Sequence, residues 1–505
     1  MPGADWMRRI ASTLAVVSLA VFVALNLAFV ASRGVCCGDD AFGAVVAKNL
    51  ASGSGYSTSL GFDRPDFVLD PFDAHITTGP PLVLPVSAMI RLLGNRFWVP
   101  GTVQVALWTL LLVATWRALL PVASGARRAI VGITFLWVSY AVSPYHLEHW
   151  YAMLGEVPAA LAILLGLAIW AVDPGSRRRS FVAAVLWSLA VLTKALAVIY
   201  AAPCLLAAVG VGSLDDRYAK RRRGVFVSLV VGFMLPILAF EAWKAASLGL
   251  EGYLLQLRSL ERLILTYGTK RTAFAPAEIT ARLIAFHARF GVSPTGLLVL
   301  AAFGGSLAWR AGGAAFRRLY LVLLAGVVVH TGYWLLLSIG LPRYFFIGVV
   351  LLSALLTIPY LALQRGAPAL LYSGVLALSL LGAVGRMQYP VSILQGEWSA
   401  SPPIRSNRES VVSFLDARLD RRPFIGQWWA SVADLEYLSK GVLDFKGYTA
   451  LRAKELSRGV LVVTNGRFDD AGDKAFSSLV ADCGRPVLAA APYAVYECGG
   501  RQIAR

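Results

Sequence analysis

The chain has 505 residues, of which 57% are hydrophobic and only 15% carry a charge, and its formal net charge is +18. A soluble protein of this length needs far more charged residues on its surface, so the composition excludes a soluble multidomain enzyme and indicates a polytopic membrane protein. The length leaves room for many spans and for an additional domain of ordinary size.

Residues 10–31 form the first long apolar run, which is long enough to cross a hydrocarbon core of about 30 Å. Because the run exceeds the apolar core of a secretory signal and more runs follow it, it is predicted to be an uncleaved helix. Residues 80–93 form a shorter run with three prolines, which is typical of an interfacial helix. With the first run, the later ones predict about eleven transmembrane helices: 98–118, 129–143, 156–172, 180–193, 195–212, 224–242, 293–309, 319–338, 345–362 and 368–385.

Basic residues concentrate in one set of loops. With eleven spans and the N-terminus inside the cell, the cytoplasmic segments hold 17 Lys and Arg residues against four acidic ones. The second outer loop, residues 144–156, has two acidic residues and no basic one. This positive-inside bias predicts that the N-terminus lies inside and the C-terminus outside. Topology then accounts for most of the net charge, and nucleic-acid binding is not expected.

The hydrophobic pattern changes near the C-terminus to that of a soluble α/β domain. We therefore divide the chain into a transmembrane domain, 1–390, whose first outer loop is 33–97, and an extracytoplasmic α/β domain, 391–505. Cys483 and Cys498 flank a predicted strand hairpin, so a disulfide between them is expected outside the cell. Cys36 and Cys37 can bond to each other, pair with other thiols or stay free. The predicted helices of the domain are 408–419, 431–440 and 471–481, and its strands are 423–426, 459–464, 486–490 and 493–498.

Two adjacent carboxylates, Asp39 and Asp40, follow the first span directly. Residues 41–50 behind them are helix-like and mostly apolar, so the aspartates lie where a helix dipole favours negative charge. Capping of that helix explains one aspartate well but not two. We therefore expect a functional role for the pair on the outer side of the membrane.

The sequence from Asp39 to Ser57 (DDAFGAVVAKNLASGSGYS), followed by TTGPPLVLP, resembles the first outer loop of GT-C membrane glycosyltransferases. It is most similar to the branch that contains protein O-mannosyltransferases and bacterial aminoarabinose transferases. That branch typically has an Asp-Glu or similar pair, so Asp at the second position is a mild departure. Glu156 in MLGEVPAAL, Lys194 in LAVLTKALA and Arg343 in GLPRYFF add to the resemblance, which covers residues 1–390.

The resemblance implies transfer of a sugar from a polyprenyl-phosphate carrier to a hydroxyl, with hexosyl or pentosyl inverting transfer at the outer face of the bacterial inner membrane. Asp39 matches the first acidic position and is the expected general base. Asp40 and Glu156 complete the predicted catalytic carboxylates. The leaving phosphate needs positive charge and hydrogen-bond donors. The candidates for this role are Lys194, Arg343, Tyr344, Lys48 and His75. For Lys194 the alternative is a lysine that reaches the interface from the end of a short helix.

A divalent metal ion is a further hypothesis, and no cofactor is certain. Its candidate ligands are Asp39, His146, Glu148 and His149. A histidine next to an interfacial tryptophan is, however, a common feature of membrane boundaries without a metal.

The expected partners are the lipid-linked sugar donor, a lipid, glycan or protein acceptor, and membrane lipids. Two alternative functions stay open. A secondary transporter would usually show internal repeats, and no convincing repeat is found. A non-catalytic envelope scaffold would leave Asp39, Glu156 and Lys194 without an explanation.

Overall fold

The computed structural model describes most of the chain: residues 2–35, 38–60, 68–121, 125–142, 147–212, 216–268, 274–290, 293–363, 366–421, 424–427, 431–447, 460–466 and 474–498. Three residues that the sequence singled out, Cys36, Cys37 and His146, lie outside these ranges.

Most of the described residues are helical. The first group of helices is α1 (Pro2–Arg33), α2 (Asp39–Ala51), α3 (Pro80–Leu93), α4 (Val99–Ala118), α5 (Gly125–Ala141), α6 (Glu148–Tyr151), α7 (Glu156–Val172), α8 (Arg177–Thr193) and α9 (Val198–Gly212). The second group is α10 (Asp216–Leu263), α11 (Pro276–Phe290), α12 (Ser293–Ala311), α13 (Ala314–Leu336), α14 (Phe346–Thr357), α15 (Pro359–Ala362), α16 (Ala367–Arg386), α17 (Gln388–Asp416), α18 (Ala433–Leu438) and α19 (Lys474–Asp482).

The apolar helices make the chain an integral membrane protein. Within the described ranges, six helical stretches are long and apolar enough to cross a membrane: 9–33, 99–118, 221–266, 314–336, 342–362 and 367–416. Shorter apolar helices include Glu156–Val172 and Pro80–Leu93, and the latter was predicted to be interfacial. The predicted spans all coincide with helices, whereas the count of eleven stays a prediction. α10 is broken at Gly249, whose φ of 66° favours glycine.

The chain forms two compact units. The first unit contains residues 1–26, 104–150 and 155–392, and the second contains 27–103, 151–154 and 393–505. The second unit thus joins the segment that follows the first span to the C-terminal part of the chain.

The first unit is built around α7 and α14. All residues of α14 are buried, and α7 packs on α8, α13 and α14. Small residues allow these close approaches, as is usual for helices in membranes. A Cβ atom added at Gly166 of α7 would lie 2.6 Å from Nε1 of Trp187 on α8. The same indole nitrogen donates a hydrogen bond to the Ile163 carbonyl at 3.2 Å, so the two helices are held in register.

The second unit contains a short antiparallel ribbon and a mixed sheet. The ribbon pairs β1 (Ser57–Thr58) with β2 (Asp70–Pro71). Among the described residues the sheet has five strands in the order β4-β3-β5-β7-β6, with β3 parallel to β4 and β5, and β7 antiparallel to β5 and β6. The strands are β3 (Phe424–Gly426), β4 (Phe445–Gly447), β5 (Val460–Asn465), β6 (Leu488–Ala490) and β7 (Tyr493–Cys498).

The C-terminal prediction is confirmed for β3, β5, β6 and β7, while the edge strand β4 was not predicted. Val462 of β5 and Phe476 of α19 are buried in the core on one side of the sheet. The predicted disulfide between Cys483 and Cys498 is present and ties the end of α19 to β7.

Candidate functional site

Glu156 opens α7 and is the centre of a buried cluster in the first unit. Gly155 precedes it with φ 87°, and a Cβ atom at this glycine would lie 3.1 Å from the Thr193 carbonyl oxygen. The glycine therefore lets the start of α7 approach the end of α8 closely. The Glu156 carboxylate lies 3.0 Å from Nζ of Lys194 through Oε1 and 3.1 Å from Nδ1 of His149 through Oε2.

Lys194 lies at a break between α8 and α9. α8 ends at Thr193, the backbone of Lys194 is extended, and a short 3-10 turn leads into α9. Its side chain is buried and forms an ion pair with Glu156. A buried ammonium is expensive unless a charge compensates it, and Glu156 supplies that charge.

His149 is fixed from several directions. Its ring stacks on Phe346 with 4.1 Å between the ring centroids, and its carbonyl oxygen accepts a hydrogen bond from Nε2 of Gln104 at 2.9 Å. The next carbonyl, that of Trp150, accepts from the Trp108 indole at 2.9 Å. The cluster therefore holds one carboxylate between an ammonium and an imidazole.

Asp39 and Asp40 form the first turn of α2 in the second unit. The residue before the helix is Gly38, whose φ is 66° and which has no side chain to cap α2. Asp39 is half-buried, whereas Asp40 is buried and accepts a hydrogen bond from the Met153 backbone N–H through Oδ1 at 2.8 Å. The two carboxylates thus differ, because the backbone restrains Asp40 while Asp39 has the more accessible side chain.

The segment after α2 contains a carboxylate–histidine pair. Oδ1 of Asp73 accepts a hydrogen bond from the His75 backbone N–H and lies 2.9 Å from its Nδ1, so Asp73 orients the imidazole. Nearby, Tyr56 donates a hydrogen bond to the Thr78 carbonyl at 3.2 Å. Burial raises the pKa of Tyr56, which keeps the phenol in the neutral form that can donate.

Lys48 has a different environment from the one that phosphate binding would require. Its ammonium lies 3.1 Å from Oε1 of Glu436, donates to the Gly441 carbonyl at 2.7 Å and also donates to the Glu436 carbonyl. No local sequence signal identifies Glu436 as a partner, because 388 residues separate it from Lys48. The role of Lys48 at the donor phosphate stays an untested prediction, and this geometry gives the side chain another function.

Arg343 and Tyr344 lie in the 3-10 turn that precedes α14 in the first unit. The guanidinium carbon of Arg343 lies 5.6 Å from the centroid of the Tyr344 ring, a cation–π arrangement. The two residues therefore form a local pair, and their predicted role at the donor phosphate stays a prediction.

The metal hypothesis gains no site from the described residues. Within them, no group of three or more His, Cys, Asp or Glu side chains is placed to hold a metal ion. His146, one of the four predicted ligands, lies outside that part of the chain, so the hypothesis stays untested.

Two solved structures of one protein share the fold of this chain. ArnT from Cupriavidus metallidurans bound to undecaprenyl phosphate superposes with a TM-score of 0.61 at 13% sequence identity, over 96% of this chain and 98% of that chain. ArnT in the apo state gives a TM-score of 0.60 at 13% identity, over 98% of each chain. Neither a protein-family model nor a curated protein matches the sequence. The chain therefore has the fold of ArnT, which confirms, for the fold, its resemblance to the GT-C transferases.

Proposed function

We propose that the protein is a membrane glycosyltransferase that moves a sugar from a polyprenyl-phosphate carrier to a hydroxyl acceptor. The observation that carries the proposal is the buried cluster of Glu156, Lys194 and His149 at a helix break, in a chain with the fold of ArnT. A charged cluster inside a membrane protein is a functional-site hypothesis by default. The ArnT structure with undecaprenyl phosphate supports the choice of a lipid-linked donor.

On the donor side, the bond between the anomeric carbon and the phosphate oxygen breaks, and the phosphate leaves with additional negative charge. We propose that Lys194 stabilises the charge on the leaving phosphate and that His149, when it is protonated, is a second hydrogen-bond donor. Glu156 holds both side chains and compensates the charge of the buried ammonium. Arg343 and Tyr344 are secondary candidates for the same phosphate.

On the acceptor side, the hydroxyl oxygen forms the new bond to the anomeric carbon and loses its proton to a base. We propose that Asp39 accepts this proton, because it is the more accessible of the two carboxylates at the start of α2. Asp40, which accepts the Met153 N–H, holds the turn in place. Attack from the face opposite the phosphate inverts the anomeric centre. The products are the glycosylated acceptor and the polyprenyl phosphate.

The charge bias of the loops supports a reaction at the outer face of a bacterial inner membrane, with the C-terminal domain on that side. A lipid, a glycan or a protein hydroxyl remains the acceptor class of the proposal.

The test uses the purified full-length protein in detergent and a panel of radiolabelled polyprenyl-phosphate sugars. Label released to water or to a cell-envelope extract measures turnover and names the donor sugar. We expect release from one sugar by the wild type, and a loss of about 10²–10⁴-fold in Asp39→Asn. Asp482→Asn, at an exposed position of α19, is the matched control and should behave as wild type. If folded wild type releases no sugar from the panel, a transporter or scaffold replaces this proposal.

A further inference from the structure

The ammonium of Lys48 is surrounded by oxygen atoms of one short segment, residues 436–441. Oε1 and the carbonyl oxygen of Glu436 and the carbonyl oxygen of Gly441 all accept its hydrogen bonds. An ammonium has three protons, so this segment alone satisfies all of them. The other carboxylate oxygen of Glu436, Oε2, accepts the Leu443 backbone N–H at 2.7 Å. We call this arrangement the Lys48 clamp.

A buried ion pair is not needed merely to pack α2 against α18. Lys48 is only 7% exposed and Glu436 is fully buried. Buried ion pairs contribute little net stability compared with apolar residues of similar size, and they are best attested as devices that fix one arrangement. α2 already buries an apolar surface that includes Phe42, Val45 and Val46. Orientation of α2 is therefore the better explanation of the clamp.

Tyr437, the neighbour of Glu436, contacts a further segment of the second unit. Its phenol donates a hydrogen bond to the Arg96 carbonyl at 2.9 Å. Burial raises the pKa of Tyr437, so its phenol stays in the neutral form that donates this hydrogen bond. Consecutive residues of α18 thus contact the last turn of α2 through Lys48 and the segment before α4 through Arg96.

α18 is itself fixed to the rest of the second unit. Asp434 lies 3.0 Å from Nε of Arg408 on α17 and accepts a hydrogen bond from the Tyr493 hydroxyl on β7. Arg408 also donates to the Val35 carbonyl at 2.8 Å. Asn95 donates to the carbonyls of Tyr437 and Ser439, each at 2.9 Å. The C-terminal domain can therefore act as a rigid support for whatever α18 holds.

We propose that Glu436 is a positioning residue: through the Lys48 clamp, the C-terminal domain sets the orientation of α2 and so of Asp39 and Asp40. This inference rests on the proposed glycosyl transfer and gives the C-terminal domain a role in catalysis. A displacement of about 1 Å at reacting groups can change a rate by about 10²-fold. Loss of the clamp should therefore lower kcat much more than it changes KM for the donor.

The first experiment compares wild type with Glu436→Gln, using the donor that the panel identifies. We expect kcat to fall about 10–100-fold while the donor KM changes less than about threefold. Glu409→Gln, at an exposed position of α17, is the matched control and should keep the wild-type kcat. Because Glu436 acts through Asp39, Glu436→Gln should cause little additional loss in an Asp39→Asn background. Full kcat in Glu436→Gln, or losses that simply multiply with those of Asp39→Asn, would overturn the inference.

A second measurement needs no turnover. Hydrogen exchange of the α2 amides, residues 39–51, should be faster in Glu436→Gln than in wild type and unchanged in Glu409→Gln. If Glu436→Gln fails to fold, Lys48→Met/Glu436→Met removes both charges and takes its place in both measurements. Unchanged exchange in α2 would contradict the inference even where the wild type turns over a donor. An inactive wild type would instead refute the proposed function, and the exchange result would still decide the role of the clamp.

Discussion

Two buried lysine–glutamate pairs among the residues that the structure describes have nearly equal lengths, and their surroundings differ. Lys194 lies 3.0 Å from Glu156, and Lys48 lies 3.1 Å from Glu436. The carboxylate of Glu156 is shared with an imidazole at a helix break, whereas the carboxylate of Glu436 is anchored by a backbone N–H and its lysine is enclosed by carbonyls. We propose that the first pair receives an anion, whereas the contacts of the second pair hold two segments together. A buried lysine alone therefore does not distinguish a ligand site from a structural one.

The largest expected effect is the loss of stability when the pair of Lys48 and Glu436 is broken. Lys48→Met leaves Glu436 buried without its ammonium, and removal of one partner from a buried ion pair costs about 3–5 kcal/mol. Lys48→Met/Glu436→Met removes both charges and should recover most of that loss. Thermal unfolding of the detergent-solubilised protein measures both variants. A double variant less stable than the single one would show that the pair contributes more than the avoidance of a lone charge.

The second effect concerns activity at the other pair. Lys194→Met removes the charge assigned to the leaving phosphate, and turnover should fall about 10²–10³-fold, as for other lost transition-state donors. Stability should fall less than in Lys48→Met, because the His149 ring stays 3.1 Å from the Glu156 carboxylate and remains a partner for it. Steady-state release of labelled sugar measures the turnover of Lys194→Met, and thermal unfolding measures its stability. Normal turnover in Lys194→Met would remove the distinction between the two pairs.

The third effect tests the sheet that supports the clamp. The bond between Cys483 and Cys498 closes a loop with a separation of 15 residues, for which about 3 kcal/mol of stabilisation is expected. Cys498→Ser should therefore lower the unfolding temperature of the C-terminal domain, and reductant should lower that of the wild type more than that of the variant. If kcat of the variant is also reduced when it is measured well below the unfolding temperature, the sheet contributes to the orientation of α2.

Local patterns predicted most of the apolar helices, four of the five strands of the C-terminal sheet and the disulfide, because each follows from residues close in the chain. The same holds for Asp39 and Asp40 at the start of α2 and for Lys194 within an apolar run, where a charge is conspicuous. Glu436 could not be predicted, because its importance depends on a contact across 388 residues. The sequence around Glu436 reads as an ordinary short helix. Contacts of this kind follow from the tertiary fold, and a single sequence does not contain the covariation that would reveal them.

The smallest effect concerns the hydrogen bonds that fix the end of α18. Asn95→Ala removes the donations to the Tyr437 and Ser439 carbonyls, and at about 0.5–1.5 kcal/mol for each bond the loss of stability should be about 1–3 kcal/mol. Asn407→Ala removes one exposed bond to the Ala491 carbonyl and should change stability by less than about 0.5 kcal/mol. If α18 is the support for α2, Asn95→Ala should also lower kcat by a few-fold, while Asn407→Ala should not. A loss of stability in Asn95→Ala with an unchanged kcat would mean that Lys48 and Glu436 hold α2 without help from this end of α18.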